Sequence, residues 1–275
     1  MTQLNRNLIV TGIPRGGTTL TGALIDNLSD CICLSEPDWQ AKWFFENRNA
    51  DGLAKLIKKD FQLVRKKILH SKPIIDKRNS DGSPVTNYFS SKRKGGKKIN
   101  KMCLKRSIIF PIGNKDFTLG MKHNAHYTSI LPQLVKMKYF SIIAVMRHPV
   151  PTILSWMSLN LPISRGKLPA GEGVWPELKL ITESKEELLN RQVRIYDLFC
   201  QRYLEFSKDI HLFKYEDIVE DPSLFEKLTG KTYEKKLEIN NQNRSKIYDF
   251  RNEEKILEAI TRYAPHALKL YPLEE

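Results

Sequence analysis

The stretch Leu8-Ile9-Val10-Thr11-Gly12-Ile13-Pro14-Arg15-Gly16-Gly17-Thr18-Thr19-Leu20 constrains this chain more than any other. A short apolar run, a glycine-bounded loop and hydroxyl residues opening an apolar-periodic segment (Leu20, Ala23, Leu24, Leu28) spell a strand, a tight turn and a helix. Consecutive backbone N–H groups in such a turn converge on one point, which the positive end of the helix also faces. An anion is expected there, close to the backbone at Gly16 and Gly17, with the Thr18 and Thr19 hydroxyls beside it. Arg15 is the loop's one fixed positive charge, able to fork around a terminal anionic group.

From Gly12 to Gly17 the spacing is that of a Walker A loop, but Thr18 stands where the triphosphate motif has lysine. That lysine reaches the β- and γ-phosphates of a nucleotide, so its loss argues against ATP or GTP as the donor. The string from Pro14 to Leu20 instead resembles the 5′-phosphosulfate loop of the sulfotransferases. Their donor is 3′-phosphoadenosine 5′-phosphosulfate (PAPS), and no metal is implied.

Three later stretches bear on this resemblance. Cys31 to Leu34 reads as a strand followed by Glu36, a carboxylate on the side where open parallel sheets bind ligands. Phe117 to Met121 reads as a strand ending at Lys122, with a helix behind it through Leu134. Tyr139 to Met146 is continuously apolar, as a strand buried on both faces requires. Arg147 emerges at its end, and Ser155 lies about two helical turns further on, so that both can face one phosphate.

Lys122 resembles the family lysine that contacts the oxygen bridging phosphate and sulfate. Arg147 with Ser155 resembles the 3′-phosphate motif. Tyr215-Glu216-Asp217-Ile218, running on to Asp221-Pro222, resembles an element whose tyrosine helps hold adenine. The separation of Glu36 from Arg15 matches that between loop arginine and catalytic glutamate in tyrosylprotein sulfotransferases, which makes Glu36 the candidate general base. His126 and His123 compete for that role, because cytosolic members use a histidine near the lysine. The pattern departs from the family in two places. An Arg-Lys-Gly clasp is missing near the C-terminus, with Arg244-Ser245-Lys246 as its candidate substitute, and Leu20 replaces an aromatic that stacks on adenine.

The expected fold is α/β, a central parallel sheet flanked by helices in a P-loop NTPase-like sulfotransferase architecture. Further helices are expected over 39–45, 52–69, 186–206, 225–228 and 253–263, with the stripe from Leu188 to Tyr203 facing the core. A chain of 275 residues suits one domain over 1–275. Segments 74–106 and 160–182 lose periodicity in Pro, Gly, Asn and Ser, and are expected as insertion or lid loops.

The net charge is +14 with a pI near 9.5, which suits nucleic acid, an anionic membrane face or anionic small molecules and glycans. The basic run 92–106 contains no acid and no aromatic, and nucleic-acid modules usually interleave aromatics for stacking. The expected partner is therefore a saccharide or small-molecule acceptor, the basic loops making an anionic saccharide attractive. Cys31, Cys33, Cys103 and Cys200 show neither zinc nor disulfide spacing. With no long apolar run and no charged leader, a cytoplasmic protein without a membrane span is expected. Two rivals are a P-loop small-molecule kinase and a non-catalytic, basic polyanion-binding protein. Nothing in the sequence signals an oligomeric state.

Overall fold

The computed structural model describes residues 6–94, 97–100, 104–235, 237–246 and 248–272, with side chains described outside 90–104. β1 (Asn7–Gly12) runs through the glycine loop into α1 (Thr18–Asp26), and β2 (Cys31–Ser35) follows. Next come α2 (Asp38–Glu46), α3 (Ala50–Leu69), β3 (Ile74–Arg78), β4 (Phe89–Lys94), β5 (Lys97–Asn100) and β6 (Leu104–Ile108). The chain then forms β7 (Thr118–Lys122), α4 (Ala125–Ser129), α5 (Leu131–Lys136), β8 (Ser141–Met146) and α6 (Pro149–Met157). A 3-10 turn at Pro162–Arg165 leads to α7 (Pro169–Glu172), α8 (Pro176–Glu183) and the long α9 (Leu188–Glu205). After β9 (His211–Lys214) come α10 (Tyr215–Glu220), α11 (Leu224–Thr229), α12 (Glu253–Tyr263) and α13 (Pro265–Leu270).

The chain is α/β, with a central five-stranded sheet in the order β2-β7-β1-β8-β9, every neighbouring pair parallel. Parallel neighbours need long crossovers, which the helices supply. Side chains alternate between two apolar clusters, one on each face of the sheet. Leu8, Val10, Ile143 and Val145 join the cluster under α1, α10 and α11; Ile9, Ile142, Ala144 and Met146 join the larger one under α3, α6 and α9. Burial on both faces is why β1 and β8 read as unbroken apolar runs. In α9, Val193, Tyr196, Phe199, Cys200 and Tyr203 are buried as the stripe predicts, but Leu188 at its first turn is exposed.

Both expected lid loops differ from the structure. Segment 74–106 holds two antiparallel ribbons, β3 with β6 and β4 with β5, running from Ile74↔Ile108 to Arg78↔Leu104 in the first. Pairing of β3 with β6 joins residues far apart in the chain, so local periodicity carries no trace of it, whereas β4 and β5 pair across a gap of two residues. Residues 101–103 of the basic run, with Cys103, lie outside the described residues. Segment 160–182 folds into the 3-10 turn, α7 and α8, each opening on a proline (Pro162, Pro169, Pro176). Proline reads as a breaker, yet it suits the first helical position, where its missing N–H costs nothing.

A buried charge cluster docks the first ribbon on the sheet. Arg78 donates from Nη1 to Asp26 Oδ2 at 2.5 Å and from Nε to Asp76 Oδ2 at 2.7 Å. Asp76 Oδ1 in turn accepts the Ser35 N–H at 2.9 Å, tying the ribbon to edge strand β2. Removing one partner would strand a buried charge at a cost of about 3–5 kcal/mol. Among the described residues no helix is long and apolar enough to cross a membrane.

Candidate functional site

All five parallel strands end at one edge of the sheet, and each delivers an expected residue there. The Gly12 loop ends β1, Glu36 follows β2, Lys122 ends β7, Arg147 follows β8 and Tyr215 follows β9. Open parallel sheets leave a crevice at this edge, where crossovers depart to opposite sides of the first strand. Arg15, Thr18, Thr19, Glu36, Arg147 and Tyr215 line a cavity of about 790 Å³. Lys122 is fully buried directly behind Glu36.

Two glycines permit the loop's path. A Cβ on Gly12 would lie 2.2 Å from the Val145 carbonyl oxygen, and one on Gly17, at φ 102°, would lie 2.7 Å from Tyr215 Cδ2. Arg15 (φ 68°) and Glu36 (φ 51°) adopt the left-handed conformation without being glycine, a strain concentrated at functional sites. Gly16 donates its N–H to the Ile13 carbonyl at 2.8 Å, so its amide is used inside the loop. The N–H groups opening α1, at Thr18, Thr19 and Leu20, have no helical acceptor by construction and are the anion donors that remain.

Around Arg15 the contacts are made by distant segments. Its Nε donates to Ser155 Oγ at 3.3 Å, its Nη2 donates to Asn87 Oδ1 at 3.4 Å, and its guanidinium lies 4.7 Å from the Phe89 ring centroid. Trp156 Nε1 donates to the Pro14 carbonyl at 2.7 Å and braces the loop from α6. Ser155, on α6, is fully buried and accepts the Arg15 Nε–H.

Lys122 Nζ donates to Glu36 Oε1 at 2.6 Å and to Thr19 Oγ1 at 3.1 Å, and lies 5.0 Å from the Tyr88 ring centroid. Burial alone would raise the Glu36 carboxyl, but the Lys122 charge, its hydrogen bond and the Lys77 charge together outweigh burial, and the pKa falls below its ordinary value. Burial also pulls the Lys122 ammonium down, and Glu36 opposes that pull.

His123 is buried with Nε2 at 3.2 Å from the Pro37 carbonyl oxygen, and burial drives its pKa well down. His126 lines the cavity with both ring nitrogens buried and without a hydrogen-bond partner. Burial, opposed by Glu36, brings its pKa down to about 4. Both imidazoles are neutral at pH 7.

Arg147 is gripped by a strap after α11. Its Nε donates to Asn243 Oδ1 at 2.7 Å, its Nη2 to the Gln242 carbonyl at 2.6 Å and its Nη1 to the Tyr248 hydroxyl at 3.3 Å. The Tyr215 ring centroid lies 5.0 Å away, and the Tyr215 hydroxyl donates to the Asn240 carbonyl at 3.1 Å. Arg244 and Lys246, expected as the clasp, are exposed, and Arg244 faces Glu253 at 3.7 Å. Arg147 itself is held by Gln242, Asn243 and Tyr248.

The sequence reading overlooked Asp38, Lys77, Asn87, Tyr88 and Phe89, all on the cavity wall. The aromatic pair Tyr88-Phe89 inside a polar stretch was the one available signal. Comparison of the sequence with protein-family models and with curated proteins returned no match.

Proposed function

We propose that this chain is a PAPS-dependent sulfotransferase of P-loop-like architecture that transfers a sulfuryl group to an acceptor hydroxyl. The observation that carries this reading is the delivery of Arg15, Glu36, Lys122, Arg147 and Tyr215 to one sheet edge by five strand ends. The residues present fit the donor. Arg15, the amides opening α1 and the Thr18 and Thr19 hydroxyls suit a 5′-phosphosulfate, and Arg147 beside Tyr215 suits a 3′-phosphate next to adenine. Ser155 acts through Arg15, whose Nε it holds.

The donor supplies an electrophilic sulfuryl group on a phosphate leaving group. Glu36 takes the acceptor's proton as the acceptor oxygen forms the new S–O bond. Lys122 donates to the bridging oxygen, which keeps the electron pair of the S–O bond that breaks. In the free protein Glu36 holds Lys122 at 2.6 Å, so donor phosphate competes with Glu36 for the ammonium. Losing that partner leaves a carboxylate whose burial favours protonation, which raises its basicity as the donor arrives.

Calorimetric titration with 3′-phosphoadenosine 5′-phosphate, ADP and Mg·ATP tests the reading. The expected result is binding that favours the 3′-phosphate and weakens about tenfold to hundredfold in Arg147→Ala. Preference for Mg·ATP would replace the reading with a kinase, and salt-sensitive polyanion binding without nucleotide preference would replace it with a binding protein.

A further inference from the structure

Where α2 and the β3–β6 ribbon line the cavity, the charged side chains among the described residues are paired with one another. Asp38, at the first position of α2, lies between two lysines from different strands. Lys77 Nζ is 3.0 Å from Asp38 Oδ1, and Lys105 Nζ is 2.5 Å from Asp38 Oδ2. Lys77 also donates to the Glu36 carbonyl at 2.9 Å and lies 3.9 Å from Glu36 Oε2. Two hydrogen bonds and a longer ion pair thus hold the Lys77 ammonium. Once donor phosphate takes Lys122, Lys77 and Lys105 face Asp38 and Glu36, and the charges of these four described side chains cancel. The uncharged wall is formed by Ala41, Tyr88, Leu161 and Ile163, with His126 neutral beside them.

An anionic acceptor would have to break one of these pairs or sit against Asp38 and Glu36, whereas an uncharged one leaves them intact. We infer that the acceptor is an uncharged hydroxyl compound with an apolar or aromatic body, and that Asp38 is the specificity-determining residue that excludes anionic acceptors. The inference rests on the sulfuryl-transfer reading of the same cavity. It reverses the attraction of an anionic saccharide that the overall basic charge suggests, because the two described lysines at this wall, Lys77 and Lys105, are already paired with carboxylates.

Matched pairs of probes differing only in charge test it: p-cresol with 4-hydroxybenzoate, and cyclohexanol with 4-hydroxycyclohexanecarboxylate. Binding is measured calorimetrically with and without saturating 3′-phosphoadenosine 5′-phosphate, and turnover with PAPS. Wild type should favour the uncharged member of at least one pair by about tenfold. Asp38→Asn, which frees Lys77 and Lys105, should remove or reverse that preference, and Asp38→Glu should restore it. Preference for the anionic members, an unchanged ratio in Asp38→Asn, or failure of both uncharged probes to bind would overturn the inference. Failure of the nucleotide to bind would overturn the donor reading instead, and the titrations without nucleotide would still report the charge preference.

Discussion

The two halves of the cavity are built in opposite ways. On one side Arg15 and Arg147 stand at the ends of parallel strands, with neutral hydroxyls, amides and aromatic faces as their described partners. On the other, Lys77 and Lys105 come from antiparallel strands and face Asp38 and Glu36. A cation held by neutral groups keeps its charge available to an anion, whereas a cation paired with a carboxylate does not. The same side chains therefore serve different ends: the sheet edge offers positive charge to a ligand, and the insertion withholds it. Lys122 belongs to both halves, since it sits at a sheet edge yet is paired with Glu36.

The largest expected effect comes from breaking that shared point. Lys122→Ala should lower turnover by about 10²–10³-fold with 3′-phosphoadenosine 5′-phosphate affinity changed only a few-fold, because the group serves charge that develops in the transition state. Glu36→Gln should cost about 10²–10⁴-fold in the same assay. Near-wild-type turnover in either variant would sever the link between the two halves.

The next effect sharpens the claim that the insertion side is kept uncharged. His126 has a pKa of about 4 in the folded chain, against about 6.5 when unfolded. The unfolded state therefore binds more protons between these values, and stability falls as pH is lowered through them. The loss is complete below pH 4 and amounts to at most about 3 kcal/mol. His126→Gln should remove this component, so denaturant titrations at pH 7 and pH 4 should bring variant and wild type closer together at the lower pH. A constant gap would mean that the imidazole titrates normally.

Arg147→Ala probes the opposite half and should be smaller. Loss of charge-assisted hydrogen bonds to a 3′-phosphate predicts about a tenfold to hundredfold fall in affinity for 3′-phosphoadenosine 5′-phosphate. ADP, which lacks that phosphate, should bind variant and wild type alike. An equal fall for both would assign Arg147 to holding the Asn240–Asn243 strap.

The halves also differ in how far they could be read from sequence. Residues of the sheet edge follow apolar runs that announce their own strands, so Lys122 after Thr118 to Met121 and Arg147 after Ser141 to Met146 have positions fixed by local pattern. The helix start at Thr18 is legible for the same reason. Lys77 and Lys105 meet because Lys77 pairs with Lys105 across β3 and β6, a register set by distant partners and by the buried Arg78, Asp26 and Asp76 cluster. No window of the sequence contains both strands. Ser155 differs: its position on α6 was legible, whereas its bond to Arg15 depends on the path of the loop, which helical spacing does not encode.

Tyr88 gives the smallest and most discriminating test, because it is where the illegible half reaches across to the legible one. Its ring lies 5.0 Å from Lys122 Nζ and 6.0 Å from Lys77 Nζ, and its hydroxyl shares a hydrogen with Ser35 Oγ at 2.7 Å. An aromatic face offsets part of the cost of burying an ammonium, and such contacts contribute about 0.5–2 kcal/mol. Tyr88→Leu should therefore lower turnover by about three- to thirtyfold and depress the Lys122 pKa further, read as a shift in the alkaline limb of the rate profile to lower pH. Tyr88→Phe keeps the ring and gives up only the bond to Ser35, so it should restore both rate and pH profile. If Tyr88→Phe and Tyr88→Leu behave alike, the hydroxyl rather than the ring joins the insertion to the sheet edge, and Ser35, the last residue of β2, becomes the residue through which the two halves communicate.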